Sequence, residues 1–334
     1  MKKVLKVGLV GCGTVATNHL RGICEYGDSV VVTALCDILP ERAEECKQSF
    51  APNAKIFTDY VKMLDTSELD AVHIATPHYL HAEMTIAALK RGINVFLEKP
   101  MCINADEIEQ LIAAEKESTA RVCVCFQNRF TSAVKQAKAI ADEDGGVISA
   151  NASLFWKRDE KYYTGSGWRG KFATEGGGVL INQAVHTLDL LYFFAGKPKS
   201  LFATVSNHHL KGVIEVEDTA EAMIKFQGGA VANFYATTAS LIGDTTTLVL
   251  YTKNHRLELR LPHLYVDGVE VKFDNELAPA GKQCYGNGHY HIISMFYDAL
   301  FCEEKEMPVT LSDAQYAVRM LLAAYKSGDM ETII

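Results

Sequence analysis

Three side chains in one short stretch have the makings of a proton-transfer device. Asn182, His186 and Asp189 stand four and three residues apart, directly after Gly176-Gly177-Gly178. On a single helix that spacing gives them one shared face. The glycines ahead are expected to open a cleft into which this face points. A histidine beside an amide and a carboxylate can take and return a proton near neutral pH. Asp189, one turn beyond His186, either orients the imidazole or pairs or caps locally.

A second constellation lies near the start. Gly11-Cys12-Gly13-Thr14-Val15-Ala16 has the G-x-G-x-x-A form, placed after a strand and at the opening of a helix. Gly11 permits the tight turn, Gly13 lets backbone approach a pyrophosphate, and Ala16 allows close helix–strand packing. The turn at Thr14 and Val15 leads into a helix N-terminus, which offers N–H groups and partial positive charge to phosphates. The next strand ends at Asp37. A carboxylate there can accept both ribose hydroxyls of NAD and would repel the extra phosphate of NADP. NAD is therefore favoured over NADP.

The elements that must position these groups read clearly. Apolar runs at Val4 to Val10, Val30 to Cys36, Ala71 to Ala75, Asn94 to Leu97 and Val122 to Phe126 alternate with helical patterns. Such alternation builds a parallel sheet covered on both faces. Strands of that sheet end in Thr76-Pro77-His78, Glu98-Lys99-Pro100 and Gln127-Asn128-Arg129-Phe130. Carboxyl ends of parallel strands are where α/β folds bind ligands. The backbone of Thr76, Pro77 and His78 is expected to line the cofactor. His78 and His81 lie three apart, but no third metal ligand is evident; solvent-facing or cofactor-rim positions suit them better, and no metal is expected. Arg129 is read either as meeting cofactor or an anionic substrate group, or as a salt bridge between domains.

The pattern changes after residue 130. Ala220, Ala222, Ile224 and Phe226 face one way and Glu221, Lys225 and Gln227 the other, with Gly228-Gly229 read as a two-residue hairpin turn into Ala230 to Thr237. More strands are expected near 246–252, 256–261 and 264–272. Ser312-Asp313-Ala314-Gln315 reads as a capping box for the closing helix. The fold class expected is α/β, with domains over 1–125 and 126–334, the second an α+β domain with a mostly antiparallel open sheet.

Composition sets the remaining bounds. The 334 residues are 48% hydrophobic, with 33 basic against 41 acidic side chains and a net charge of −8. That size suits two domains, and that charge disfavours nucleic acid as a partner. No apolar run reaches membrane-span length, and no signal-peptide pattern opens the chain. The nine cysteines lack zinc-type spacing and read as reduced thiols of a cytoplasmic protein.

Taken together, the glycine turn, Glu98-Lys99-Pro100 and the stretch from Gly176 to Asp189 make the chain resemble the Gfo/Idh/MocA oxidoreductase family over essentially its whole length. The resemblance implies an N-terminal Rossmann domain and a C-terminal domain whose open sheet packs against another subunit, as a homodimer or homotetramer. It implies hydride transfer between NAD and a secondary alcohol of a sugar, cyclitol or sugar derivative. It assigns Lys99, His186 and the Asn182 position to catalysis, and Glu98 and Lys99 to the cofactor side. Many members of the family carry aspartate where this chain has Asn182. Asparagine can hydrogen-bond a hydroxyl but cannot take its proton, so any base role falls to His186. Lys99 would hydrogen-bond the reacting oxygen and favour the alkoxide. Trp168-Arg169-Gly170 and Tyr285-Gly286-Asn287-Gly288-His289 resemble dehydrogenases of nucleotide-linked N-acetyl-aminouronic sugars. Trp168 and Arg169, on an aromatic loop with Tyr162 and Tyr163, and His289 join Arg129, Asn182, His186 and Lys99 as substrate candidates. The alternatives are a same-fold reductase of a non-sugar carbonyl or imine, and a non-catalytic sensor of NAD or sugar.

Overall fold

A computed structural model describes residues 3–241, 243–273, 288–328 and 330–334. Tyr285, Gly286 and Asn287 lie outside the described residues. The chain divides into two compact units. The first comprises Met1–Cys102, Asp106–Phe126 and His289–Asp313; the second comprises Ile103–Ala105, Gln127–Gly288 and Ala314–Ile334. The segment His289–Asp313 thus joins the first unit, although the sequence reading placed it in the second domain. No local pattern marks that return.

In the first unit, strands β1 (Leu5–Val10), β2 (Val30–Cys36), β3 (Lys55–Phe57), β4 (Ala71–Ile74), β5 (Asn94–Leu97) and β6 (Val122–Val124) form one parallel sheet in the order β3-β2-β1-β4-β5-β6. The central strands are buried along most of their length because helices cover both faces, which is why their sequences run apolar without alternation. The order reverses between β1 and β4, and such a switch point opens a crevice at the carboxyl ends of the strands. Helix Ala16–Tyr26 follows β1. A Cβ on its Gly22 would lie 2.6 Å from Ile293, so glycine is what lets the returning segment pack closely here. Only the short β3 escaped the sequence reading.

The second unit holds β7 (Ser149–Phe155), β8 (Pro198–Ser206), β9 (Thr219–Phe226), β10 (Val231–Thr237), β11 (Thr245–Tyr251), β12 (Arg256–Arg260), β13 (His263–Val266), β14 (Val269–Val271) and β15 (Thr332–Ile333). They form one sheet in the order β14-β13-β12-β11-β7-β10-β9-β8-β15. Only β7 and β10 pair in parallel; the other ladders are antiparallel. Burial alternates along β7 and β10, as expected of a sheet packed on one face.

Three local expectations need correction. The loop between β9 and β10 spans Gln227, Gly228 and Gly229, because the Phe226 N–H closes on the Ala230 carbonyl and Gly229 takes φ +92°. That is a turn followed by a left-handed glycine, one residue longer than expected. The run at 264–272 is itself a hairpin, folded at Asp267 (φ 52°) and Gly268 (φ 86°). The closing helix runs Leu311–Ser327, and its capping box is Thr310 with Asp313, not Ser312 with Gln315. Asp313 N–H donates to Thr310 Oγ1 at 3.1 Å, and Thr310 N–H donates back to the Asp313 carboxylate at 3.3 Å.

Candidate active site

Gly11 sits at the carboxyl end of β1 with φ +87°, and a Cβ there would lie 2.4 Å from the Ala75 carbonyl oxygen. The glycine turn therefore abuts the turn after β4, and no side chain fits between them. A Cβ on Gly13 would meet nothing within 4 Å, so its backbone borders open space. Helix Ala16–Tyr26 begins after Val15 with no side-chain cap and no acidic residue in its first turn. Its N-terminus suits an anion. Asp37 is 7% exposed; its two oxygens accept from Cys12 N–H at 2.8 Å and Leu39 N–H at 2.9 Å. These bonds fix the carboxylate at the end of β2, and each oxygen keeps a lone pair for a ribose hydroxyl. The unit fits a bound dinucleotide on these grounds.

The turns after β4 and β5 complete that edge. Thr76 donates its hydroxyl to Met84 Sδ at 3.6 Å, while Pro77 leads into a short turn over His78–Leu80. His78 and His81 are both buried, so neither is solvent-facing. The His81 ring lies between the carbonyls of Pro100, 2.7 Å from Nδ1, and Thr76, 2.9 Å from Nε2, and as a neutral ring donates to one of them. It is spent on backbone. Glu98 extends the β4–β5 ladder by donating its N–H to Ile74 O, and Lys99 follows, joined to Pro100 by a cis bond.

The Glu98 side chain turns into the core. His19 Nε2 lies 3.0 Å from Glu98 Oε1, His289 Nε2 lies 3.9 Å from it, and the Cys125 thiol also hydrogen-bonds the carboxylate. Burial pushes the Glu98 carboxyl up, but the His19 hydrogen bond, with Lys99 nearby, holds it well below the usual carboxylate range. His289, read from sequence as a substrate contact, is instead 3% exposed in this cluster and is pushed down to about 4 by burial. Glu98, Cys125 and His289 offer ligand atoms within 4.8 Å of one another. Burial pushes the Cys125 thiol up.

In the second unit the stretch after the glycines is not one helix. Val179–Asn182 and Val185–Ala195 are separate, and the Val179 carbonyl accepts from both Gln183 and Ala184. Asn182 ends the first piece and His186 lies in the second, so the shared helical face expected for them is broken. The glycines do not open a cleft either. A Cβ on Gly176 would lie 2.5 Å from Ile103, on Gly177 2.0 Å from Tyr325 Oη, and on Gly178 1.8 Å from Glu217 O. They let other parts of this unit pack against the turn. Glu217 caps it, accepting from Gly178 N–H at 3.0 Å, Leu180 N–H at 2.9 Å and the Tyr325 hydroxyl at 2.9 Å.

Asp189 forms a two-pronged ion pair with Arg129, at 2.8 Å and 2.5 Å, and both groups are buried. The Arg129–Asp189 pair lies within this unit, so it is not a bridge between the two units. His186 is 5% exposed and lines a small cavity with Asn128, Gln183 and Thr187. Asn182 donates to the Glu175 carboxylate at 2.5 Å and to the Tyr162 hydroxyl at 3.2 Å. Glu175 also accepts from Gly170 N–H at 2.5 Å, and burial pushes it up to about 7. The guanidinium of Arg169 lies 4.5 Å from the Tyr162 ring centre and 4.8 Å from that of Trp168, and Arg158 lies 4.8 Å from the Tyr162 ring. Sequence reasoning missed Glu175, Glu217, His19, His73 and Tyr297. Glu175 adjoins the triple glycine, but no spacing rule marks it; the others have no local signal.

Comparison with known proteins agrees with this architecture. Residues 5–126 match the oxidoreductase family with NAD-binding Rossmann fold, and residues 134–258 match the GFO/IDH/MocA C-terminal domain. Inositol 2-dehydrogenase of Salmonella typhimurium is 33% identical over 139 residues, which is 41% of this chain and 41% of that protein. The WlbA dehydrogenase of Bordetella pertussis, solved with NADH and UDP-GlcNAcA, superposes with a TM-score of 0.83 at 24% identity, covering 99% of both chains. Levoglucosan dehydrogenase, solved with NADH and levoglucosan, superposes with a TM-score of 0.89 at 22% identity, covering 99% of this chain and 100% of that one. With both of its domains matched in order, the chain belongs to the Gfo/Idh/MocA family of oxidoreductases with an NAD-binding Rossmann fold.

Proposed function

We propose that the protein is an NAD-dependent dehydrogenase of a secondary alcohol on a sugar, cyclitol or sugar derivative. The observation that carries this reading is the carboxyl edge of the parallel sheet. There the Gly11 turn packs on the turn after β4, Asp37 is held for a ribose, and Lys99 leaves β5. A bound nicotinamide supplies the hydride acceptor. Lys99 donates a hydrogen bond to the reacting oxygen, and its positive charge favours the alkoxide. His186 takes the hydroxyl proton. Asn182, anchored on Glu175, holds a neighbouring hydroxyl. Inositol 2-dehydrogenase and levoglucosan dehydrogenase, both similar to this chain, act on polyhydroxylated rings by name, which supports this substrate class.

The Arg169 guanidinium, stacked on Tyr162 and Trp168, favours a substrate that carries negative charge. The outward face of the nine-stranded sheet exposes Phe155, Phe202, Met223, Val231 and Tyr251, which supports a homo-oligomer formed through it. No helix among the described residues is long and apolar enough to cross a membrane; a cytoplasmic location rests on the thiol content of the chain.

The test is NADH formation with a panel of cyclitols, free sugars and nucleotide-linked uronic sugars. On the substrate so found, Lys99→Ala and His186→Ala are expected to lose about 10²–10⁴-fold in kcat while NAD affinity, read by fluorescence, stays unchanged. Normal turnover in both variants would remove these residues from the chemistry.

A further inference from the structure

A chain of buried hydrogen bonds runs through the first unit and ends on Glu98. Tyr297 Oη lies 2.7 Å from His73 Nε2, His73 Nδ1 lies 2.8 Å from His19 Nδ1, and His19 Nε2 lies 3.0 Å from Glu98 Oε1. Tyr297, His73 and His19 are each at 0% exposure. Phe96 stacks on His73 with ring centres 4.7 Å apart and meets His19 edge-on at 5.5 Å, so the two rings are held in an apolar jacket. The residues come from helix Ala16–Tyr26, β4, the end of β5 and helix Gly288–Phe301.

We propose that Tyr297, His73 and His19 form a one-way hydrogen-bond relay onto the Glu98 carboxylate, and that all three are positioning residues for the turn Glu98-Lys99-Pro100.

The direction follows from counting protons. A carboxylate only accepts, so His19 must carry its hydrogen on Nε2. A neutral ring then leaves Nδ1 as an acceptor, so His73 must carry its hydrogen on Nδ1. His73 Nε2 is then an acceptor, and the Tyr297 hydroxyl donates to it. Each of the four groups is satisfied. The other arrangement puts a second proton on His19. His73 would then donate from Nε2 to the Tyr297 oxygen, and the phenolic hydrogen would need a further acceptor in a fully buried site. Among the described residues, His73 is the hydrogen-bond partner of that hydroxyl, so the second arrangement strands a buried donor. Burial also pushes His73 well below the usual histidine range, which favours the neutral ring. The groups facing Glu98 from the elements around it are His19, His289, Cys125 and Lys99.

The consequence is a carboxylate fixed in place one residue before Lys99. The positioning role rests on the catalytic reading of Lys99; the relay itself does not. Long-range ¹H–¹⁵N spectra of the labelled protein at pH 7 test the relay without any substrate, with His19→Gln and His73→Gln used to assign the rings. The expected result is His19 as the Nε2–H form and His73 as the Nδ1–H form; an imidazolium at either ring, or His73 protonated on Nε2, overturns the relay. Tyr297→Phe keeps the ring and removes the donor. It is expected to lower kcat about five-fold and to move the acid limb of the pH profile, with NAD affinity unchanged. His19→Gln, which can still donate to Glu98, is expected to retain more turnover than His19→Leu. Wild-type kinetics in Tyr297→Phe, or equal loss in the two His19 variants, overturns the positioning role. If the ring forms are as expected but Lys99→Ala turns over normally, the catalytic reading fails and the relay stands.

Discussion

Two buried glutamates, one in each unit, meet opposite fates. Glu98 is 7% exposed and Glu175 is 0% exposed. Burial alone pushes both carboxyls up. Around Glu98, the His19 hydrogen bond and the Lys99 charge overrule burial, and the carboxyl is held well below its usual range. Around Glu175, the direct donors are a backbone N–H and the Asn182 amide, both neutral, with Arg169 adding its charge. Burial wins there, and the group is pushed up to about 7. The contrast shows that the character of the neighbours, more than depth, decides whether a buried acid is charged. It also divides the labour: the first unit keeps a permanent anion beside Lys99, and the second keeps a carboxyl that titrates near neutrality behind Asn182.

The contrast can be broken at four points, in falling order of effect. Glu98→Gln removes a charge that its surroundings were built to hold, and is expected to cost about 4 kcal/mol of stability at pH 7. Urea denaturation measures it, and a loss under about 1 kcal/mol would mean the carboxylate is not held as described. Next comes pH dependence. Glu98, with its folded pKa depressed, contributes stability above the ordinary glutamate value, lost as pH falls through the folded value. Glu175, with its folded pKa raised, contributes stability that is fully present below about 4.5 and is lost as pH rises through about 7. Its share is on the order of 3 kcal/mol. Denaturation midpoints from pH 4.5 to 8 should therefore fall, and Glu175→Gln should flatten part of that slope; the rest belongs to Glu217, also raised to about 7. An unchanged slope in Glu175→Gln would place the titration elsewhere.

The third and fourth points sharpen the comparison. Asn182→Asp sets a second carboxylate against Glu175, where the amide nitrogen now sits at 2.5 Å. Like-charge repulsion should raise the Glu175 titration by about 1–2 units, read by carboxyl ¹³C shifts; a downward shift would contradict the geometry. Tyr162→Phe removes an acceptor for Asn182 at 3.2 Å and Gln183 at 3.3 Å. It should cost only about 1 kcal/mol by thermal unfolding, and a much larger loss would show that Tyr162 carries more of the turn than its hydrogen bonds.

Legibility followed the range of the interaction. β2 and β5 sit where their apolar runs predict, because a strand buried on both faces writes itself as a continuous run. The roles of Gly11 and Asp37 were readable for a similar reason: a tight turn and an acid at a strand end are local chemistry. The helix of Asn182 and His186 was misjudged because periodicity does not register the break at Gln183 and Ala184. The triple glycine was misjudged because close approach to Glu217 and Tyr325 leaves no mark near residue 177. The ion pair of Asp189 with the Arg129 guanidinium, 60 residues away, left no trace in the local spacing.

The sequence by itself determined the alternation that makes the parallel sheet, the glycine turn that ends its first strand, and the position of Lys99 after its fifth. These are matters of period, backbone freedom and strand length, which act over a few residues. Only the tertiary structure decided which groups are charged and what holds them. His19 meets His73 across 54 residues, His73 meets Tyr297 across 224, and His19 meets Glu98 across 79. Hydrogen bonds over such separations have no period to read, and the low dielectric that sets the protonation of these groups exists only once the chain has closed around them.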